Sequence, residues 1–131
     1  MVARLIAGLF LLSLSSSAIA QIQEIPDSAA VTGIGNVFEV TTSDFINVRV
    51  ESSNDIFAYV QSFGQQISIN VAKPNPEILS TILNIKNLSP ETEYNLVTNG
   101  RLETIVSDES GTYTVEVDLS LPKNLVITPR Q

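Results

Sequence analysis

The sequence predicts an all-β fold, an antiparallel β-sandwich of about seven to nine strands that follows an N-terminal signal peptide. Three observations predict it. Apolar and polar residues alternate with a period of two in several short stretches, and turn residues separate these stretches roughly every eight to twelve positions. After residue 21, no stretch keeps the helical period of about 3.6 residues over successive turns.

The first 20 residues have the three parts of a secretory signal peptide. Arg4 precedes an apolar stretch of about ten residues, and Ala18-Ile19-Ala20 forms an A-x-A cleavage site. The apolar stretch is shorter than the roughly 20 residues of a membrane-spanning helix. We therefore expect the mature protein to begin at Gln21, to have no membrane span, and to be secreted, periplasmic or attached to the cell surface.

The rest of the chain divides into two parts. Residues 21–36 lack a strong pattern and are expected to form a loose leader or an edge strand, whereas residues 37–131 are expected to form the β-sandwich domain. The chain has no cysteine, which argues against the disulfide-dense secreted domains of eukaryotes and favours a bacterial exported protein.

The clearest strand is predicted at 112–119, where Tyr113, Val115, Val117 and Leu119 alternate with polar residues. Such alternation is typical of an antiparallel strand with one face in the core and one in water. Similar alternation predicts strands near 45–51, 66–72 and 80–87 and a last strand ended by Pro129, with the inward residues Ile46, Val48, Val50, Ile67, Ile69, Val71, Leu83, Ile85, Leu125 and Ile127.

The segment around Asn99-Gly100 is predicted to form a hairpin whose register depends on the turn. A two-residue loop would place Leu96 opposite Glu103 and put the apolar sets of the two strands on opposite faces. A three-residue loop that includes the preceding threonine would place Leu96 opposite Leu102, with Gly100 in the left-handed position of a bulge. We expect the three-residue loop, because it lets the apolar side chains share one face.

Seven residues, Leu88-Ser89-Pro90-Glu91-Thr92-Glu93-Tyr94, form the pattern L-x-P-x-T-x-Y. This pattern resembles the segment between strands E and F of fibronectin type III domains, which are immunoglobulin-like sandwiches. The resemblance implies a structural tyrosine corner, in which the tyrosine hydroxyl bonds to backbone a few residues upstream, and gives Leu88, Pro90, Thr92 and Tyr94 roles in it. The sequence departs from that family in having no tryptophan and about three strands after the corner.

Residues 88–130 are also similar to a loosely defined module of bacterial exported proteins. The shared parts are a tyrosine corner, a short hairpin with Asn-Gly, the pattern S-D-x-x-G-x-Y at 107–113, and a closing strand that ends near proline at 129. The resemblance implies an accessory piece of a surface or secreted protein. It transfers no catalytic residue to this chain.

The composition excludes several classes of activity. Without cysteine or histidine the chain lacks thiolate and imidazole ligands for zinc, haem or iron–sulfur clusters, and it lacks histidine-based nucleophilic triads. Fourteen acidic residues against seven basic ones give a net charge of −7. Nucleic acids bind basic surfaces, so no nucleic-acid partner is expected. We likewise expect no enzymatic activity, no cofactor and no metal.

Acidic side chains are the abundant titratable groups, and two sets of them bear on calcium. Residues 107–111 partly match a calcium loop but lack its alternating oxygen ligands and distal glutamate, so a hairpin turn is predicted there instead. Calcium binding remains open for a second set of residues, if the fold gathers them at one end of the sandwich: Asp27, Asp44, Asp55 and Asp118.

The strand predicted at 56–63 is apolar on both faces. One face is aliphatic and is expected in the core. The other face carries Phe57, Tyr59 and Phe63, and we expect a neighbouring segment to cover it. The alternative is an exposed row of aromatic rings on which sugar rings or another subunit stack. The solvent exposure of Tyr59 distinguishes these two arrangements.

Together these features predict an exported, non-enzymatic β-sandwich module that binds a protein or glycan, or has a structural role, at the cell surface or outside the cell. Two alternatives stay open. One is a carbohydrate-binding module that uses Phe57, Tyr59 and Phe63. The other is a subunit of an extracellular fibre in which residues 21–44 add a strand to a neighbour's sheet. A monomer is expected, since sandwich domains of this length usually contain all their own strands, with self-assembly as the alternative.

Overall fold

The computed structural model describes residues 25–130, which form eight antiparallel β-strands and no helix. The strands are β1 (Ser28–Val40), β2 (Val48–Phe63), β3 (Gln66–Ala72), β4 (Ser80–Lys86), β5 (Glu93–Thr98), β6 (Arg101–Val106), β7 (Tyr113–Asp118) and β8 (Lys123–Pro129). The prediction of an all-β antiparallel fold is confirmed. The predicted signal peptide, residues 1–20, and the start of the mature chain at Gln21 lie outside the described residues.

The long strand β2 lies at the centre of the fold and pairs with three strands, β1, β3 and β4. On one side it pairs with β1 along most of its length. On its other side, residues 57–63 pair with β3, whereas residues 49–52 pair with β4. The resulting strand order is β6-β5-β8-β3-β2-β4-β7, with β1 added beside β2. Residues 28–36, from the segment predicted as a leader or edge strand, belong to β1.

A bulge in β2 allows the two halves of this strand to pair with different neighbours. Gly35 pairs with Ile56 and Val37 pairs with Glu51, so a single β1 residue lies opposite residues 52–55 of β2. Extra residues on one strand of a pair bend it and increase its twist. The two halves of β2 can therefore hydrogen-bond to different strands while their alternate side chains still point into one core.

The core contains the inward side chains of all eight strands. Those of β2 show the alternation most clearly, because Val48, Val50, Ile56, Ala58 and Val60 have no solvent exposure. The inward sets predicted for 66–72, 80–87, 112–119 and the last strand are confirmed, as all their members are buried or half-buried: Ile67, Ile69, Val71, Leu83, Ile85, Tyr113, Val115, Val117, Leu119, Leu125 and Ile127.

The prediction that Ile46 points inward is wrong, since its side chain is 49% exposed and the strand begins two residues later. A turn precedes that strand. The N–H of Thr42 donates to the carbonyl of Phe45 (2.9 Å), and the N–H of Phe45 donates to the hydroxyl of Thr42 (3.2 Å). This turn buries Phe45 instead, and Asn47 takes a left-handed conformation that shifts the phase of the alternation.

The predicted register of the β5–β6 hairpin is also wrong. Leu96 lies opposite Glu103, so the loop has two residues, Asn99 and Gly100. Both have positive φ, 47° and 89°, which is the type I′ geometry that suits the twist of a two-residue hairpin. Turn chemistry therefore sets the register, and Leu102 on the outer face is left 63% exposed.

Candidate functional site

A row of aromatic side chains lies on the outer face of β2. Ala58, Val60 and Ser62 alternate with the outer positions of the strand and are buried, so Phe57, Tyr59 and Phe63 point away from the core. Their exposed fractions are 45%, 36% and 64%. At about 3.3 Å per strand residue, the row is roughly 20 Å long. Among residues 25–130 no segment buries this row, so the covering segment that we expected is not found there and the row is exposed.

Uncharged side chains surround the row, and most of those on the neighbouring strand β3 are polar. On the neighbouring strand β3, Asn70 lies opposite Tyr59 and Gln66 lies opposite Phe63. The next strand, β8, continues this surface, and the amide of Asn124 donates to the side-chain oxygen of Asn70 (2.8 Å). We call this surface the aromatic face and define it by Phe57, Tyr59, Phe63 and their outward neighbours Ala30, Thr32, Ile34, Gln61, Gln66, Ser68, Asn70, Ala72, Asn124, Val126 and Thr128.

None of the side chains of the aromatic face carries a charge, although the chain has 21 charged residues. A charged cluster lies on the opposite half of β2, where Glu51 accepts from Lys86 (3.0 Å) and Arg49 (2.7 Å). These two cations lower the pKa of Glu51 through their hydrogen bonds. The side chains that define the aromatic face therefore offer a ligand stacking surfaces and uncharged groups.

A hollow lies at each end of the aromatic row. The hollow beside Phe57 has a volume of about 270 Å³ and is bordered by Asn70, Asn99, Asn124 and Lys123. A second hollow at the other end has a volume of about 490 Å³ and is lined by Phe63, Gly64, Gln65, Gln66, Asn95, Thr128 and Pro129. The row and its two hollows form one shallow, elongated surface, which suits an extended ligand better than a compact one.

A separate cleft of about 330 Å³ lies between the edge strands β6 and β7. Arg101, Glu103, Asp118 and Lys123 bring both signs of charge to it, over a floor that includes Leu125. On β7, burial raises the pKa of the Tyr113 hydroxyl, and the nearby Glu103 carboxylate raises it further. This cleft offers ion pairing to a small ligand but no stacking surface.

The residues of the predicted tyrosine corner lie together. The ring of Tyr94 is buried, and its hydroxyl accepts a hydrogen bond from the N–H of Ser89 (3.0 Å). The hydroxyl of Thr92 donates to the carbonyl of Pro90 (2.8 Å), and Leu88 is buried beneath the turn. These bonds hold a turn, and none of the corner residues belongs to the aromatic face.

Sequence reasoning missed Ser107, which holds the corner from the other side. This buried serine donates from its hydroxyl to the carbonyl of Ser89 (2.5 Å) and accepts from the N–H of Thr92 (3.0 Å). It also missed Asn70 and Asn124. The available signal was that both occupy outward positions of alternating strands. Only the strand order shows that Asn70 lies next to Tyr59 and that Asn124 lies next to Asn70.

The acidic residues do not form a metal site within residues 25–130, where no three His, Cys, Asp or Glu side chains lie close enough to hold an ion. The carboxylate of Asp108 forms its hydrogen bonds within its own turn. It accepts from the N–H groups of Thr112 and Ser110 (2.9 Å each) and from the Ser110 hydroxyl (2.7 Å). The hydrogen bond from Thr112, followed by that from the Ser110 hydroxyl, lowers the pKa of Asp108.

Comparison with known proteins gave no relative, since no family model, no curated protein and no solved structure matches the chain. In the part of the chain that the structure describes, no helix has the length and apolar character needed to cross a membrane.

Proposed function

We propose that this protein is an exported, non-enzymatic β-sandwich module that binds an uncharged polysaccharide on the aromatic face. The observation that carries the proposal is the exposed row of Phe57, Tyr59 and Phe63 within an uncharged polar surface. The C–H faces of sugar rings stack on aromatic rings, and the amides of Asn and Gln supply both donors and acceptors for sugar hydroxyls. An extended row suits a polymer, because consecutive sugar units can use consecutive rings.

The charge distribution supports a neutral ligand. The chain has a net charge of −7, which repels nucleic acids and anionic membrane surfaces. The same charge would repel acidic polysaccharides. An uncharged polysaccharide avoids this repulsion, and the side chains of the aromatic face include no ion that would have to be desolvated on binding.

The immunoglobulin-like sandwich and export are part of the same proposal. The tyrosine corner formed by Tyr94 and Ser89 supports a fold of the fibronectin type III kind, and the two sets of neighbours of β2 are compatible with two packed layers. Residues 1–20 support export through their signal-peptide pattern. A protein outside the cytoplasm meets polysaccharides of cell walls and extracellular matrices.

A panel of neutral polysaccharides in affinity electrophoresis and pull-down assays tests the proposal. We expect at least one of them to retard the wild-type protein. Because Tyr59 supplies the central ring of the row, Tyr59→Ala should weaken binding roughly tenfold or more, which corresponds to about 1.4 kcal/mol. The matched control is Leu102→Ala, an exposed apolar residue on β6, which should bind like the wild type. Binding unchanged in Tyr59→Ala, or no binding to any neutral polysaccharide, would contradict the proposal.

A further inference from the structure

Within residues 25–130, three strands have a hydrogen-bonded neighbour on one side only: β1, β6 and β7. The free side of such an edge strand presents backbone N–H and C=O groups that another strand can pair with, and charged residues discourage that pairing. Two of the edges carry such protection. Strand β6 has Arg101 and Glu103 among its six residues, and β7 has Glu116 and Asp118 among its six.

The third edge, β1, lacks this protection. Residues 28–38 contain no charged residue and no proline, and Glu39 is the one charged residue in the strand. Ile34 and Val37 on this strand are 67% and 46% exposed. An unprotected, uncharged edge of this length is the kind of edge to which a further strand adds.

The register shows which groups of β1 are free. The β2–β3 hairpin has a two-residue turn, with Phe63 opposite Gln66. The pair that flanks such a turn is hydrogen-bonded, and hydrogen-bonded residues alternate along a strand. Odd-numbered residues in this part of β2 therefore bond to β3, and even-numbered residues bond to β1. The hydrogen bond from the N–H of Gly64 to the carbonyl of Asp27 (3.2 Å) belongs to the second set.

Because Ala29 pairs with Ser62 and Val31 pairs with Val60, the odd residues of β1 direct their backbone groups toward β2. The N–H and C=O groups of Ala30, Thr32 and Ile34 then point away from the fold. These three residues also place their side chains on the outer surface. They form a short, uncharged strand edge with Thr32 at its centre.

We propose that two copies of this chain pair through their β1 edges, antiparallel and about a two-fold axis at Thr32. In this register Thr32 lies opposite the same residue of the second copy, and Ala30 lies opposite Ile34. Each outward N–H then meets an outward C=O, and the exposed Ile34 side chain gains a neighbour across the junction.

A second copy suits this edge for two reasons. An antiparallel pair about a two-fold axis is self-complementary, as isologous contacts require. The edge is also where two acidic chains can meet without opposing their carboxylates, because the nearest ones, Asp27 and Glu39, lie outside the paired span of residues 30–34. The pairing is independent of polysaccharide binding, but it would join two aromatic faces into one continuous surface.

Sedimentation equilibrium over roughly a hundredfold range of concentration tests the pairing on protein purified after expression of the full 131-residue chain. We expect a monomer–dimer equilibrium for the wild type. Thr32→Lys should raise the dimer dissociation constant roughly tenfold or more, because it puts a charge at the centre of the edge. The matched control is Thr104→Lys, an exposed threonine on the edge strand β6, which should leave the constant unchanged. A wild-type monomer at every concentration, or a dimer that Thr32→Lys does not weaken, would overturn the proposal.

Cysteine cross-linking gives a second, geometric readout. The chain has no cysteine, so any disulfide in a single-cysteine variant joins two copies. Directly opposed residues in a hydrogen-bonded pair have Cα atoms about 5.5 Å apart, within the roughly 4.4–6.8 Å of disulfides. Thr32→Cys should therefore oxidise to a covalent dimer much faster than Thr104→Cys. Equal rates for the two variants would overturn the proposed register and, with it, the proposed dimer.

Discussion

The hydroxyl of Tyr94 accepts a hydrogen bond from the backbone N–H of Ser89 at 3.0 Å, and this bond joins the start of β5 to the loop before it. The ring is 3% exposed, so the hydroxyl has little access to water. The same loop is held from the opposite side by Ser107, whose hydroxyl bonds to the backbone of Ser89 and Thr92. Side chains from two different parts of the chain thus fix one turn.

Tyr94→Phe should lower the free energy of unfolding by about 1–3 kcal/mol, because it leaves the N–H of Ser89 without its partner in a part-buried position. Urea denaturation followed by circular dichroism measures this change. The control is Tyr59→Phe, which removes the hydroxyl of an exposed tyrosine and should cost no more than about 0.5 kcal/mol. Equal effects of the two substitutions would contradict a structural role for the corner.

Gly111 should tolerate no side chain. It has a φ of 80°, and a Cβ atom at this position would overlap the backbone carbonyl of Leu88, whose own N–H donates to the Gly111 carbonyl (2.9 Å). Gly111→Ala should therefore cost more than about 2 kcal/mol, the sum of left-handed strain and a backbone shift. Gly100→Ala is the matched control, since Gly100 has a similar φ of 89° but open space around it.

Thermal unfolding of the two glycine variants separates strain from overlap. Gly100→Ala should show the conformational cost alone, about 1–2 kcal/mol. A Gly111→Ala protein as stable as Gly100→Ala would mean that the loops at 88 and 111 separate without cost, contrary to the close packing described above.

The stability of the protein should fall as the pH drops below the ordinary range of carboxyl pKa values. The pKa of Asp108 is lowered in the fold by hydrogen bonds from Thr112 and Ser110, so the ionised form favours folding. This contribution is complete above the unfolded-state pKa of about 4 and disappears as the pH falls through the lower folded-state pKa. The pKa of Asp118 is lowered by the N–H of Ser120 and acts in the same direction.

Denaturation of Asp108→Asn between neutral and acidic pH measures the contribution of this carboxylate. The variant should be less stable than the wild type at pH 7, and the difference should shrink toward zero at low pH. Glu109→Gln, the loss of one charge at the adjacent exposed position, controls for net charge. A difference between wild type and Asp108→Asn that stays constant with pH would show that the charge is not what stabilises the turn.

The strands could be predicted from sequence wherever apolar residues alternate on one face, as Ile67, Ile69 and Val71 do. The register of the β5–β6 hairpin could not, because two criteria conflict there. Matching of apolar faces favours Leu96 opposite Leu102, whereas Asn99 and Gly100 favour a two-residue turn, and the turn decides. Strand β1 was hard to recognise because its glycines and small residues give weak alternation. Its strand conformation depends on the pairing with β2.

The candidate site was predictable in part. The row of Phe57, Tyr59 and Phe63 follows from their spacing alone, but its exposure depends on which segments pack nearby, and spacing does not show that. In the sequence Asn70 and Asn124 look like ordinary solvated residues. The strand order β8-β3-β2 places them in line with Tyr59, with Asn70 between the other two. A binding surface made from several strands is therefore visible only after the sheet has been assembled.

The bulge of β2 depends on a buried hydroxyl from β4. Thr81 is 2% exposed, and its hydroxyl lies 2.5 Å from that of Ser52 and accepts from the N–H of Asn54 (3.3 Å). The N–H of Ile82 donates to the hydroxyl of Ser53 (2.9 Å), so consecutive bulge residues are tied to one neighbouring strand. These contacts hold the bend that lets β2 pair with both β3 and β4.

Thr81→Val should lower the free energy of unfolding by about 1–3 kcal/mol, because a side chain of nearly the same shape leaves the buried Ser52 hydroxyl and the Asn54 N–H without a partner. Thr104→Val on the exposed face of β6 is the matched control and should be within about 0.5 kcal/mol of the wild type. Adding Ser52→Ala to Thr81→Val removes both hydroxyls, so the double variant should cost clearly less than the sum of the single variants. Urea denaturation of the wild type, Thr81→Val, Ser52→Ala and the double variant completes the cycle. Strict additivity would mean that the two hydroxyls act separately and that their contact does not stabilise the bulge.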